Sequence, residues 1–382
     1  MRRTSSVVAS LALVFAALIV APSAVVSAHP TTVTPQGFNT TEWAWVVVRD
    51  GTSTYTPAAK DRGNASGAID RVKVFALGVY EIKFKGEADL GGVAHVSVLG
   101  TKPRVCVITT WFSKGADELV DIDCFSRTGS PAAATFVASF LATDNESGKL
   151  GYLWADEPQA ASGDYTAAGT WSFNSTGGTN LVDHESTGRY LVTLPNLGAF
   201  KGDVQVSAFV EFPTPVRIAP AGNVPYNGPL SVCDTAGWTE GGGDTNMYVS
   251  VDCRDVTGAL TDSYFTMTFM QGLGLKGISG TGVAYGLADQ PTTASYAAPS
   301  DYRFSAPAGT VHITRQGTGR YTVTFSAMPE GGAVLVSADT ISARRCFVGS
   351  IDTAATPQKV TVRCIKFDGT PANSRFTIAY ER

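Results

Sequence analysis

The sequence predicts an all-β protein made of three tandem antiparallel β-sandwich repeats of immunoglobulin-like size, with one disulfide inside each repeat. Two observations predict this fold. The composition is rich in Gly, Ala, Thr, Ser and Val and sparse in Lys and Glu, a mixture that favours strands and turns over helices. A pattern of alternating strands, Gly turns and paired cysteines also occurs three times along the chain, which indicates a repeat architecture.

A Gly-x-Tyr motif begins the first clear strand of the pattern. Gly-Arg-Tyr occurs at 188–190 and at 319–321, and Gly-Val-Tyr at 78–80 is a weaker copy. Each Tyr starts a run in which apolar and polar residues alternate, and a Gly-rich turn and a second alternating strand follow it. An alternation of period two is typical of a half-buried strand.

The paired cysteines are the most regular part of the pattern. The second cysteine of each pair ends an alternating strand, and a Gly and then a Phe follow it at constant spacing. Six cysteines allow many pairings, but the repeat selects the one in which each copy closes its own bridge. A metal site or a reactive thiol is the alternative, yet no Cys-x-x-Cys spacing and no matching His accompany the cysteines. The expected bridges are Cys106–Cys124, Cys233–Cys253 and Cys346–Cys364.

The three copies extend over residues 40–145, 150–270 and 282–382, and we call them the first, second and third copy. Each copy has enough predicted strands to form an antiparallel sandwich, and each is expected to fold alone. It is not a true immunoglobulin domain, because the cysteines lie on neighbouring strands instead of joining two sheets. The second copy carries a Pro-rich insertion at 210–229.

Residues 1–28 are predicted to be a secretory signal peptide. Arg2 and Arg3 precede an apolar run, and Val-Ser-Ala at 26–28 suits cleavage before His29. The run of about 14 residues is shorter than the roughly 20 that span a bilayer, so a membrane anchor is not expected. Two of the 29 basic side chains and none of the 33 acidic ones lie in this segment, so the mature chain carries a net charge of −6. We therefore expect a secreted, extracellular protein that does not bind nucleic acid or insert into a membrane.

No catalytic set is recognisable in the sequence, and no cofactor or metal is expected. His95, His184 and His312 occupy different positions of the repeat and are interpreted as surface residues. The Gly-rich segment at 272–277 resembles a dinucleotide-binding fingerprint but is followed by residues that cannot start a helix. Two acidic pairs are also interpreted as surface charges, and they are Asp121 with Asp123 and Asp61 with Asp70.

Four residues are candidates for binding. Phe212 and Tyr226 are aromatic residues in the insertion, where a rigid scaffold would present them for recognition, although a passive insertion is the alternative. Trp238 matches Trp111 in its spacing from the first cysteine, which favours packing on the hairpin over a platform for a sugar. Asp244 lies in a Gly-rich run with too few acids for a calcium loop, which favours a hairpin tip.

The motifs of the second copy resemble those of uncharacterised exported bacterial proteins with tandem Cys-pair β-sandwich repeats. Tyr-x-Trp-Ala-x-x-Pro is represented at 152–158, and Tyr-x-x-Asn-Ser-Thr-Gly-Gly in part by 173–178. Gly-Arg-Tyr-x-Val lies at 188–192, and Asp-Ser-x-Phe at 262–265. The third copy keeps part of this set, and the first is eroded. The resemblance implies export and a repeat fold, and it implies no activity or binding residues.

Three hypotheses about function remain. The first is a non-catalytic protein for extracellular recognition, adhesion or envelope structure, with a glycan or an extracellular protein as ligand. The second is a secreted hydrolase with an unconventional site in the second copy, formed by His184, Glu185 or Asp244. The third is an inhibitor of extracellular proteases that acts through a rigid loop. The sequence leaves the oligomeric state open.

Overall fold

The computed structural model describes residues 41–143, 148–161, 163–167, 169–198, 202–211, 230–277, 281–354 and 356–382. This part of the chain is all-β, as predicted, and it forms one compact unit of 26 strands in four sheets. It contains no helix that is long and apolar enough to cross a membrane. The predicted signal peptide lies outside the described residues, as do Phe212 and Tyr226.

The strands of the three copies follow one another in a similar order. Those of the first copy are β1 (Glu42–Val48), β2 (Arg62–Asn64), β3 (Arg71–Ala76), β4 (Val79–Phe84), β5 (Val93–Leu99), β6 (Arg104–Lys114), β7 (Asp117–Ser126) and β8 (Thr135–Ala142). Those of the second copy are β9 (Lys149–Ala155), β10 (Asp164–Thr166), β11 (Ser172–Asn174), β12 (Leu181–Ser186), β13 (Arg189–Leu194), β14 (Asp203–Phe209), β15 (Ser231–Glu240), β16 (Met247–Asp255) and β17 (Tyr264–Gln271). Those of the third copy are β18 (Val283–Ala288), β19 (Ser295–Ala297), β20 (Arg303–Ala306), β21 (Val311–Gly317), β22 (Arg320–Phe325), β23 (Ala333–Ala338), β24 (Arg344–Ile351), β25 (Gln358–Lys366) and β26 (Phe376–Glu381).

Each copy supplies two groups of antiparallel strands. In the first copy the orders are β2-β1-β8-β5 and β3-β4-β7-β6. The second copy repeats them as β11-β9-β17-β14 and β10-β12-β13-β16-β15, and the third as β20-β18-β26-β23 and β19-β21-β22-β25-β24. The predicted disulfides join directly paired residues of β6 and β7, of β15 and β16, and of β24 and β25. All three predicted bridges are confirmed.

The Gly-x-Tyr motif has a shared structural reason. Gly319 has a φ of +63°, and a Cβ there would lie 2.2 Å from the Cys364 carbonyl oxygen, so only Gly fits this turn. Two positions later, the buried Tyr321 hydroxyl donates to the Pro291 carbonyl at 2.9 Å and accepts the Ser374 N–H at 3.3 Å. Tyr80 and Tyr190 make the corresponding pair of bonds, so the motif ties the strand to two loops in every copy.

The sheets cross the boundaries between copies, which the expectation of three tandem sandwiches did not include. β14 pairs in parallel with β6, and β24 pairs in parallel with β5, so two sheets each combine strands of two copies. A parallel bridge between Thr235 and Asp339 joins the second copy to the third. One backbone N–H bonds to one carbonyl at each junction: Gly100 to Val348 at 2.8 Å, Val210 to Ile108 at 2.8 Å, and Thr340 to Thr235 at 2.9 Å.

A buried serine supports each of these junctions. Each serine hydroxyl accepts the N–H of a valine in a neighbouring copy and donates to the carbonyl of that same valine. The pairs are Ser97 with Val336, Ser207 with Val96, and Ser337 with Val206. The first copy thus contacts the third, the third contacts the second, and the second contacts the first, so the contacts close a ring.

Candidate functional site

Trp238 lies at a contact between the second and third copies. Its half-buried ring meets Tyr302 edge-on, with ring centroids 5.7 Å apart. The matching Trp111 is buried and packs edge-on against Trp154, at 5.9 Å, and Phe209, at 5.6 Å, both in the second copy. Both tryptophans therefore have the contacts of packing residues between copies.

Asp244 lies at the tip of the hairpin formed by β15 and β16. One of its carboxylate oxygens accepts the Asn246 N–H at 2.9 Å, and the other accepts the Tyr248 hydroxyl at 2.8 Å. These local bonds are those of a turn residue. Within the described ranges, no group of three or more His, Cys, Asp or Glu side chains is placed to hold a metal ion.

His184 and Asp262 form the most enzyme-like pair in the second copy. His184 Nε2 lies 3.0 Å from Asp262 Oδ1, which also accepts the Gly188 N–H at 2.7 Å. The third copy has the same arrangement in other residues, since Asn373 Oδ1 accepts from Arg315 at 3.3 Å and from the Gly319 N–H at 3.0 Å. The same hydrogen-bonding arrangement recurs in the third copy with different side chains. This recurrence favours a structural role for the His184–Asp262 pair at the turn between the strands.

The interpretation of His95 as a surface residue is wrong. Its ring is only 3% exposed, because the second copy covers the face of β5 that the sequence pattern places outward. Its Nδ1 lies 3.2 Å from Ser207 Oγ, and its Nε2 lies 2.8 Å from Thr268 Oγ1. Burial lowers the pKa of His95 to about 3, so the ring is neutral and belongs to the polar centre between copies.

The acidic pairs are also more buried than the sequence suggests. Asp123 is 7% exposed, and burial, with Asp121 nearby, raises its pKa to about 7. Asp61 is buried and accepts from Arg49 Nε at 2.8 Å. Asp70 is fully buried, and burial raises its pKa to about 6. The surface interpretation is therefore wrong for three of these four acids, and Asp121 is half-buried.

A row of exposed apolar and basic side chains lies along β3 and its flanks in the first copy. Ile69 is 57% exposed, Phe75 40% and Leu77 62%, whereas isolated exposed apolar residues are more usual on a soluble protein. Arg71 and Lys73 lie between them and are also exposed. The Lys73 ammonium lies 4.1 Å from the centre of the Phe75 ring. We call these five residues the β3 row.

The β3 row is specific to the first copy. The pairing of β3 with β4, of β12 with β13 and of β21 with β22 gives the matching positions in the other copies. In the second copy they are Thr179, Leu181, Asp183, Glu185 and Thr187. In the third copy they are Thr310, His312, Thr314, Gln316 and Thr318. The fold thus accepts polar residues at every position where the first copy exposes Ile69, Phe75 and Leu77.

The sequence contained the signal for the β3 row, because aligning the three copies places three apolar residues against polar ones. The sequence did not reveal that these positions stay exposed, nor that the outward face of β5 is buried. No family model, no curated protein and no solved structure matches the chain. The two other copies therefore provide the reference against which the β3 row is judged.

Proposed function

We propose that this is a non-catalytic extracellular recognition protein whose β3 row binds a protein partner with acidic residues. In this proposal each copy is a two-sheet sandwich, and the ring of junctions holds the three copies as one rigid support. The observation that carries the proposal is the β3 row itself, which exposes three large apolar side chains where the matching positions of the other copies are polar. Exposed apolar groups of this kind mark interaction surfaces.

The chemistry of the β3 row fits a protein better than a glycan. Ile69 and Leu77 offer neither an aromatic face nor a hydrogen bond, so sugar hydroxyls placed against them would lose their bonds to water. Apolar side chains beside an arginine and an aromatic ring are instead typical of the energetic centre of protein interfaces.

The charge of the β3 row specifies an acidic partner. Arg71 and Lys73 are exposed at alternate positions of one strand. Alternate residues of a strand lie about 7 Å apart on the same face. An extended partner segment with carboxylates two residues apart therefore matches the two charges. Apolar residues on either side of those carboxylates would meet Ile69 at one end and, past the bulge between Val74 and Ala76, Phe75 and Leu77 at the other.

The extracellular setting is part of the same proposal. Three disulfides inside three copies suit an oxidising compartment, which agrees with the predicted export signal at residues 1–28. The insertion of the second copy, with Phe212 and Tyr226, remains a further candidate for recognition outside the described residues.

A displayed peptide library tests the proposal. The library encodes extended peptides with acidic residues at two alternate positions and apolar residues on either side. The test variant carries Ile69→Thr, Phe75→Gln and Leu77→Thr, which are the residues of the third copy. We expect the wild-type protein to select peptides that bind the variant at least about tenfold more weakly, because the apolar contacts are lost. Fluorescence polarisation with the labelled peptides measures the two affinities.

Ile341→Thr is the matched control, since Ile341 is 71% exposed but lies outside the β3 row. This control should keep the wild-type affinity. Selected peptides that bind the triple variant as well as the wild type, or a library that yields no binding peptide, would contradict the proposal.

A further inference from the structure

The three copies meet around a small cleft of about 60 Å³. The cleft is lined by the first cysteine of each disulfide and by the three valines that the junction serines bond. Arg104, Asp234 and Arg345 also line it. A cavity that holds one water molecule measures about 10–15 Å³ on the same scale, so the cleft has room for one group of a few non-hydrogen atoms.

The copies differ in charge at this cleft. The residue before the first cysteine is Val105 in the first copy, Val232 in the second and Arg345 in the third. The residue after it is Asp234 in the second copy, where the other copies have Val107 and Phe347. Two copies thus show that the strand pairing needs no charge before the cysteine, and the third places a guanidinium there.

Arg345 is 4% exposed, and its bonds leave one edge of the guanidinium without an acceptor. Its Nη1 donates to the Arg104 carbonyl at 3.0 Å, and the guanidinium lies 5.7 Å from the centre of the Phe367 ring. Its Nε and Nη2 are buried and have no hydrogen-bond partner among the described residues. Buried donors without an acceptor are costly, and a bound ion or water commonly explains them.

Asp234 does not supply the missing acceptor for the Arg345 guanidinium. Its Oδ1 accepts the Ala338 N–H at 2.7 Å, and it makes no ion pair with Arg345 within 4.0 Å among the described side chains. Burial raises the pKa of Asp234 to about 7, and it lowers that of Arg345 to about 10, against the influence of the Asp234 charge. Arg345 is therefore a buried cation at neutral pH.

We propose that the cleft binds one small oxyanion, a carboxylate or a phosphate, on the Nε and Nη2 edge of Arg345. These two nitrogens lie side by side on the planar guanidinium and match the spacing of two oxygens on one carboxyl or phosphoryl group. The volume of the cleft limits the bound group to a free small anion or to a single acidic end of a larger molecule. This inference does not rest on the β3 row.

Thermal unfolding of the full mature protein tests the site with sodium acetate and sodium phosphate as probes. Each is compared with sodium chloride at equal ionic strength. A ligand that binds the folded state raises the midpoint temperature as its concentration increases. We expect acetate, phosphate or both to raise the midpoint of the wild type above that in chloride. Titration of [1-13C]acetate and of phosphate, followed by NMR, gives the affinities directly and separates the two sources.

Three variants make this test specific. Arg345→Val restores the residue of the other two copies and should abolish the rise, whereas Arg345→Lys keeps the charge and should weaken binding at least about tenfold. Arg320→Ala removes an exposed arginine of the third copy and should behave as the wild type. Equal rises in the wild type and in Arg345→Val, an equal rise with chloride, or no rise in the wild type overturns the proposal. The triple variant of the β3 row should keep the anion response, so the two proposals fail separately.

Discussion

Glu118 shows how far a single side chain in one copy differs from its counterparts. It is fully buried on β7, and the matching residues are Met247 in the second copy and Gln358 in the third. Its Oε2 accepts the Ser113 hydroxyl at 2.9 Å, and its Oε1 has no partner among the described residues. Burial raises the pKa of Glu118 to about 9, so this carboxyl is protonated at neutral pH.

The raised pKa of Glu118 predicts a loss of stability at alkaline pH. The folded state binds the proton up to about pH 9, whereas an unfolded glutamate releases it near about pH 4.3. The stabilisation is therefore complete below the unfolded pKa and is lost as the pH rises through the folded one. Between pH 5.5 and 8.5, we expect the free energy of unfolding to fall by roughly 4 kcal/mol more in the wild type than in Glu118→Gln.

Urea unfolding at the two pH values measures this difference. Glu118→Gln introduces the residue that the third copy has at this position. Glu185→Gln, at an exposed position of the second copy, is the control and should keep the wild-type dependence. An unchanged dependence in Glu118→Gln would show that Glu118 does not bind the proton in the folded state.

At the level of the strand, the sequence predicts elements well where one face of a strand is buried within its own copy. The alternating residues at 190–194 lie in β13, and those at 249–253 lie in β16. The pattern fails on β5, because the second and third copies cover its outward face and bury His95 and Ser97 there. Parallel pairing between copies cannot be recognised from the alternation of apolar and polar residues, since the strands that pair across a junction keep the ordinary period of two.

The turn before each motif tyrosine gives a prediction at this scale. Gly319→Ala should lower the free energy of unfolding by roughly 2–4 kcal/mol, because a side chain at positive φ would also collide with the Cys364 carbonyl. Gly242→Ala is the control, since its Cβ would meet nothing within 4 Å. Equal effects of the two substitutions, measured by urea unfolding, would refute the steric explanation of the motif.

For the whole molecule, the internal repeat explains the order of the strands, and it provides the comparison between copies from which both proposals are argued. Positions that agree in all copies, such as the motif tyrosines, explain structure. Positions where one copy departs, such as Phe75 and Arg345, are the ones on which the two proposals rest. The sequence could show these departures, but it could not show which remain at the surface. That depends on the ring of junctions, which buries one sheet face and leaves another exposed.

The ring also predicts how the molecule unfolds. Each junction serine bonds a backbone group of a neighbouring copy, so no copy can unfold without leaving buried polar groups of another without a partner. We therefore expect the three copies to unfold together. Ser337→Ala removes the acceptor of the Val206 N–H and should lower the stability of the entire molecule by about 1–3 kcal/mol.

Differential scanning calorimetry of the disulfide-intact mature protein tests this interlocking most directly. The ring predicts one transition with equal calorimetric and van't Hoff enthalpies, and a shift of that whole transition to lower temperature in Ser337→Ala. Two or three separable transitions in the wild type, of which Ser337→Ala moves only some, would show instead that the copies are independent domains.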